Sequence, residues 1–84
     1  MIAQVSPKIY WRCRRGMAEL DVFFQGFLDS DYQNLNKSER DDFEQLLTCN
    51  DTDLLEYLMG RTTPSELNLI NVVTKIRQSA NSKT

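Results

Sequence analysis

TPSELNLINVVTKIR, residues 63–77, decides the fold class. Thr63 reads as a helix cap, Pro64 as the first helical residue and Glu66 as the third-position carboxylate that completes the start signal. Leu69, Val72, Val73 and Ile76 follow at spacings that place them on one helical face, and Lys75 and Arg77 near the end suit the helix dipole. The Val72-Val73 pair is too brief to argue for a strand. Working outward, the same grammar recurs. Asn50 or Asp51 caps a short helix carrying Leu54, Leu55, Leu58 and Met59, and Gly60 stops it. Asn36 with Glu39 forms a capping box ahead of Phe43, Leu46 and Leu47. A polar loop, Asn34 to Lys37, precedes it. Before that, a helix from about Met17 to Asp31 has Leu20, Phe24, Phe27 and Leu28 as its apolar stripe. Gly26 inside it costs roughly 1 kcal/mol relative to alanine, so it either admits a close backbone or marks a weak point. Ser6-Pro7 opens a first helix, Lys8 to about Arg15, with Ile9 and Cys13 on one face, and Gly16 interrupts it. The expectation is an all-α, compact five-helix bundle in one small domain, residues 1–84. Its ends, about 1–5 and 79–84, are expected to be flexible.

Eighty-four residues bury only about 60–65% of the surface that the unfolded chain exposes, so the core must be economical and a deep substrate cavity is not expected. No apolar run approaches the ~20 residues that span a bilayer, which argues against membrane insertion. No signal-peptide succession opens the chain, and a cytoplasmic location is the default. Cys13 and Cys49 form no C-x-x-C pair and are expected to be reduced thiols. The chain has no histidine, which removes the commonest general base and the commonest metal ligand. Neither independent catalysis nor a bound metal is therefore expected.

Charge is unevenly placed. Lys8, Arg12, Arg14 and Arg15 lie in a first segment free of acids, whereas all twelve acids fall between Glu19 and Glu66. A basic first helix beside an acidic body favours a protein partner. Nucleic acid is the weaker rival, because the basic patch is small and the remaining surface repels phosphate.

Arg15-Gly16-Met17-Ala18-Glu19 is the segment that structural needs explain least. Gly16 would serve as an N-cap, Glu19 would reach back to the orphan backbone donors, and Met17 and Leu20 would be core. Arg15 and Glu19 would also pair across one turn, a contact contributing about 0–1 kcal/mol. The other reading makes the segment a partner-binding surface. Tyr10, Trp11 and Tyr32 would extend such a surface or be partly buried in the bundle. Asp29 and Asp31, two residues apart on a helix, point away from each other and read as solvated surface, not as a catalytic pair. The acids from Asp41 to Glu44 likewise suggest a wet face.

The string Trp11-Arg12-Cys13-Arg14-Arg15-Gly16-Met17-Ala18-Glu19-Leu20-Asp21 resembles the signature of the SdhE/YgfY family of succinate dehydrogenase flavinylation and assembly factors, whose mitochondrial counterpart is succinate dehydrogenase assembly factor 2. The resemblance continues through Phe43-Glu44-Gln45-Leu46-Leu47, Asp51-Thr52-Asp53-Leu54-Leu55 and Tyr57-Leu58-Met59-Gly60. Tyr57 replaces a tryptophan common in the family and keeps an aromatic there. The resemblance implies a five-helix fold and a non-catalytic chaperone that binds the flavoprotein subunit of succinate dehydrogenase, and by the same token that of fumarate reductase. Such a helper promotes covalent attachment of FAD in the partner while holding no cofactor stably itself. The partner-binding residues it implies are Arg15, Gly16 and Glu19. Met17, Arg12 and Trp11 are added as candidates from their position. A monomer is expected. Two other classes remain open: an antitoxin-type protein that neutralises a toxin, and, less favoured, a small nucleic-acid-binding module.

Overall fold

The computed structural model describes residues 7–81. Within them the chain forms α1 (Pro7–Arg12), α2 (Ala18–Ser30), a 3-10 turn (Tyr32–Asn34), α3 (Lys37–Leu46), α4 (Asp51–Leu58) and α5 (Leu67–Asn81), with no strand among the described residues. The five expected helices are all present. The Ser6 cap and the outermost ends of the chain lie outside the described residues.

α5 packs against α2, α3 and α4, and α2 also packs against α4. The core they share is built from the predicted stripes: Leu20, Phe24, Phe27 and Leu28 from α2, Phe43 and Leu46 from α3, Leu54 and Leu58 from α4, and Leu69, Val72, Val73 and Ile76 from α5, all buried. Ile9 and Cys13 seal it from the first helix and the turn that follows. Phe43 sits at the centre. Its ring lies 6.0 Å from Phe24, 5.4 Å from Phe27 and 5.5 Å from Tyr32, centroid to centroid. Edge-on and tilted geometries of this kind add about 0.5–1.5 kcal/mol per pair beyond the area buried.

The helix ends show where local grammar suffices. The Asn36 side chain accepts from the Glu39 N–H at 2.8 Å, and Glu39 Oε1 accepts from the Asn36 N–H at 2.9 Å, so the capping box is complete. That backbone bond, with help from Lys75, holds the Glu39 carboxyl below its ordinary pKa. Asn50, rather than Asp51, caps α4 by accepting from the Asp53 N–H. Gly60 closes α4 at φ +79°, with its N–H donating to Tyr57 O and that of Arg61 donating to Glu56 O, the paired bonds of a Schellman stop. A β-carbon at Gly60 would also stand 2.9 Å from the Arg77 guanidinium.

Three boundaries depart from expectation. α1 ends at Arg12, not near Arg15, leaving Cys13 to Met17 as the connection to α2. Tyr32–Asn34 is a 3-10 turn, held because Tyr32 and Leu35 are buried. α5 starts at Leu67, not Pro64: the Glu66 carboxylate accepts from Gln45 Nε2 on α3, Asn68 reaches Asp42 and Gln45, and Pro64 is buried. Tertiary hydrogen bonds thus displace the local start signal. At its other end α5 continues to Asn81 and buries Ser79, whose hydroxyl lies 3.3 Å from that of Ser30.

Phe43→Ala is expected to cost about 3–5 kcal/mol, against a total stability of roughly 4–13 kcal/mol for a domain this size. Asn36→Ala should cost only about 1 kcal/mol. Urea unfolding followed by circular dichroism measures both, and equal losses would remove Phe43 from the centre of the core.

Candidate functional site

The motif Arg15 to Glu19 occupies the connection between α1 and α2 and the first turn of α2. Gly16 makes the corner: its φ is +77°, a left-handed conformation that costs a residue with a β-carbon roughly 1–2 kcal/mol. Nothing lies within 4 Å of where its β-carbon would be, so the glycine serves backbone geometry and leaves open space above it. Met17, not Gly16, takes the cap position of α2, and it offers no side-chain hydrogen bond. Asp21 supplies the missing closure, its Oδ1 accepting the Arg15 backbone N–H at 3.1 Å.

The Arg15 side chain turns inward. Its guanidinium donates to the carbonyls of Leu47 and Cys49 (the latter at 3.4 Å) and pairs with Asp51 Oδ1 at 3.2 Å. These acceptors belong to the connection between α3 and α4 and to the first residue of α4, and the arginine side chain is only 18% exposed. Its Nε is buried without a partner among the described residues, which offsets part of the gain. Arg15 therefore pairs with Asp51 and not with Glu19. Glu19 is exposed, and its carboxylate has no hydrogen bond or ion pair among the described residues. Met17 is half-buried and packs on the core. The motif's members thus point in opposite directions: arginine into the molecule, glutamate out of it.

Arg12 also turns toward the body, its guanidinium lying 3.4 Å from Glu44 O and 3.9 Å from Glu44 Oε1. Arg14 donates to the Tyr10 hydroxyl at 3.1 Å and lies over that ring. The basic first segment thus meets this chain's own acidic surface, which reduces the charge available for phosphate. Trp11 is 66% exposed, with its ring edge-on to Tyr10 at 5.4 Å. Tyr32, by contrast, is buried under Arg40 and belongs to the core. Val22, which was not singled out as a site residue, is 72% exposed on α2. Its signal was legible, because it stands roughly 200° around the helix from Leu20, opposite the apolar stripe.

Cys13 is fully buried, and desolvation pushes its thiol up to about 12 despite the opposing Arg15 and Arg12 charges. Burial also raises Cys49, with Asp53 adding to the effect. Both cysteines are free thiols, and neither is activated. A groove of about 360 Å³ beside α5, lined by Phe27, Asp31, Leu35, Lys75 and Ser79 among others, includes none of the motif residues. The motif lies on an open surface, which suits contact with a macromolecule better than enclosure of a small one.

Residues 7–80 match the family described as the flavinator of succinate dehydrogenase. The chain is 39% identical over 72 residues to the FAD assembly factor SdhE of Serratia sp., an overlap covering 86% of this chain and 82% of that protein. It is 40% identical over 73 residues to its namesake in Coxiella burnetii, covering 87% and 89%. For the Vibrio cholerae protein of the same name the identity is 42% over 74 residues, covering 88% and 86%.

Arg15→Ala is expected to lower stability by roughly 2 kcal/mol, because it strands two carbonyls and a carboxylate. Arg15→Ala and Asp51→Asn should then be non-additive in a double-mutant cycle. Additive losses in urea titrations would show that the pair is not coupled. The Cys13 thiol also predicts an alkaline limit. Its folded pKa lies above the unfolded value of 9.0, so only the unfolded chain ionises between pH 9.0 and about 12, and this group's share of stability falls across that window. Cys13→Ala should flatten the alkaline limb of the melting-temperature profile, and an unchanged limb would remove this thiol as its cause.

Proposed function

The chain belongs to the flavinator family of succinate dehydrogenase, and on that premise we propose that it binds the flavoprotein subunit of that enzyme and promotes covalent attachment of FAD there. The family match over residues 7–80 is the observation that carries this reading. The open surface at Gly16, Glu19 and Trp11, with the rim of Met17, is the place proposed for the flavoprotein to dock. Arg15 and Arg12 serve that surface from behind by tying it to α3 and α4. The fumarate reductase flavoprotein, which the sequence signature also implies, is proposed as a second client.

The chemistry of attachment belongs to the partner. The flavin methyl carbon becomes bonded to a histidine, and this chain contains none to offer. Its own residues are proposed to bind and to hold, with FAD as the partner's cargo. A helper that binds the attachment-competent conformation of the flavoprotein more tightly than the others shifts the population toward it. A tenfold shift needs only about 1.4 kcal/mol of differential affinity, within reach of a few surface contacts.

Cells lacking this protein are expected to accumulate the succinate dehydrogenase flavoprotein without acid-stable flavin, and to regain it when the chain is restored. Full flavinylation in its absence, under every growth condition tried, would overturn the proposal. Gly16→Arg should keep helical circular dichroism at a cost of roughly 1–2 kcal/mol but fail to restore flavinylation. Gly16→Asn, whose side chain tolerates the left-handed backbone, should restore most of it. Equal restoration by both variants would separate Gly16 from the docking surface.

A further inference from the structure

The inward turn of Arg15 has an electrostatic consequence for the face beside it. Its charge is consumed by Asp51 and two backbone carbonyls, so the Glu19 carboxylate is not neutralised by the arginine of its own motif. α2 carries Glu19, Asp21 and Asp29 and no basic residue. Asp21 is partly occupied by the Arg15 N–H. Glu19 is left in the first turn as an exposed anion without a partner among the described residues. One turn further on stands Val22, three residues from Glu19 and four from Ala18, and those spacings place all three side chains on one helical face.

Val22 is 72% exposed, although valine is a poor choice for a solvated helix position on propensity grounds. Single exposed apolar residues are ordinary, but this one stands one helical turn from an exposed carboxylate that has no partner among the described residues. Small Ala18 lets a partner approach the helix backbone, Val22 offers apolar area, and Glu19 asks for a cation. Favourable stabilisation at the helix N-terminus does not replace that cation, because the helix dipole acts only weakly on an exposed, solvated charge.

We propose that Ala18, Glu19 and Val22 form a docking face that receives a cationic segment of the flavoprotein, with a lysine or arginine against Glu19 and an apolar side chain over Val22. This rests on the functional reading above and extends its surface one turn along α2, to a residue outside the motif. The complementary charge sits on the partner, so association should be salt-sensitive through Glu19.

The test measures affinity between the purified full-length chain and the purified, FAD-loaded flavoprotein of succinate dehydrogenase by isothermal titration at two salt concentrations. Val22→Asp is expected to weaken binding at least tenfold, and Val22→Leu to keep it within about twofold. Glu19→Lys should weaken it by a hundredfold or more, and Glu19→Gln should remove most of the salt dependence. Circular dichroism checks that these exposed positions leave the fold intact. If the native chain binds while Val22→Asp and Glu19→Lys bind within twofold of it, the docking face is wrong and the functional reading stands. If the native chain does not bind the flavoprotein, the functional reading falls, and the docking face falls with it.

Discussion

The structure depends on the burial of Phe43. A chain of 84 residues has little interior to spend, and a single ring here touches three others contributed by α2 and the 3-10 turn. The helices are too short to be stable alone; isolated helices below about 12–15 residues are marginal in water. Only α2 and α5 reach that range, at 13 and 15 residues. The others exist because a shared core rewards their ordering. α5 crosses α2, α3 and α4, so the same core fixes the platform against which the first helix and the motif are laid.

On that platform the polar contacts do a different task. Arg15 gains modestly in stability, because its partners are partly solvated and its Nε is left without one. What it contributes is geometry. One guanidinium reaches the α3–α4 connection from the α1–α2 connection, while its own N–H is held by Asp21. The two connections are thereby tied to each other through one side chain. A planar group with several donors in a fixed fork suits this arrangement better than a lysine would.

Much of the fold was legible because it is written locally. The stripes of α2 and α5, the Asn36–Glu39 box and the Gly60 stop each depend on residues within a few positions of one another, and each is where periodicity and capping placed it. The departures share one cause. Pro64-Ser65-Glu66 reads locally as a start, yet Glu66 and Asn68 find hydrogen-bond partners on α3, so the helix begins later. Tyr32 anchors a 3-10 turn only because Phe43 lies across from it. The candidate site divides along the same line. Spacing singled out residues 15–19, but the direction of Arg15 depended on Leu47, Cys49 and Asp51, which are 32 to 36 positions away. No pattern within one helix reports such a contact.

That direction alters what the motif means physically. An arginine and a glutamate four residues apart suggest a zwitterionic patch that would satisfy itself and ask little of a partner. The fold separates the two charges, burying the cation against carbonyls and leaving the anion on an open corner. A surface carboxylate without a neutralising neighbour is inexpensive in water and gains most when a cation arrives with some of that water excluded. The same separation explains why the surface can be small. A helper that shifts one equilibrium of its partner requires a difference in affinity between two partner states, not a large total affinity. On the proposed docking, a corner, one carboxylate and a patch of apolar surface suffice to sense a complementary cation on the partner. The polar contacts of Arg15 behind that corner tie it to the connection between α3 and α4 and to the start of α4.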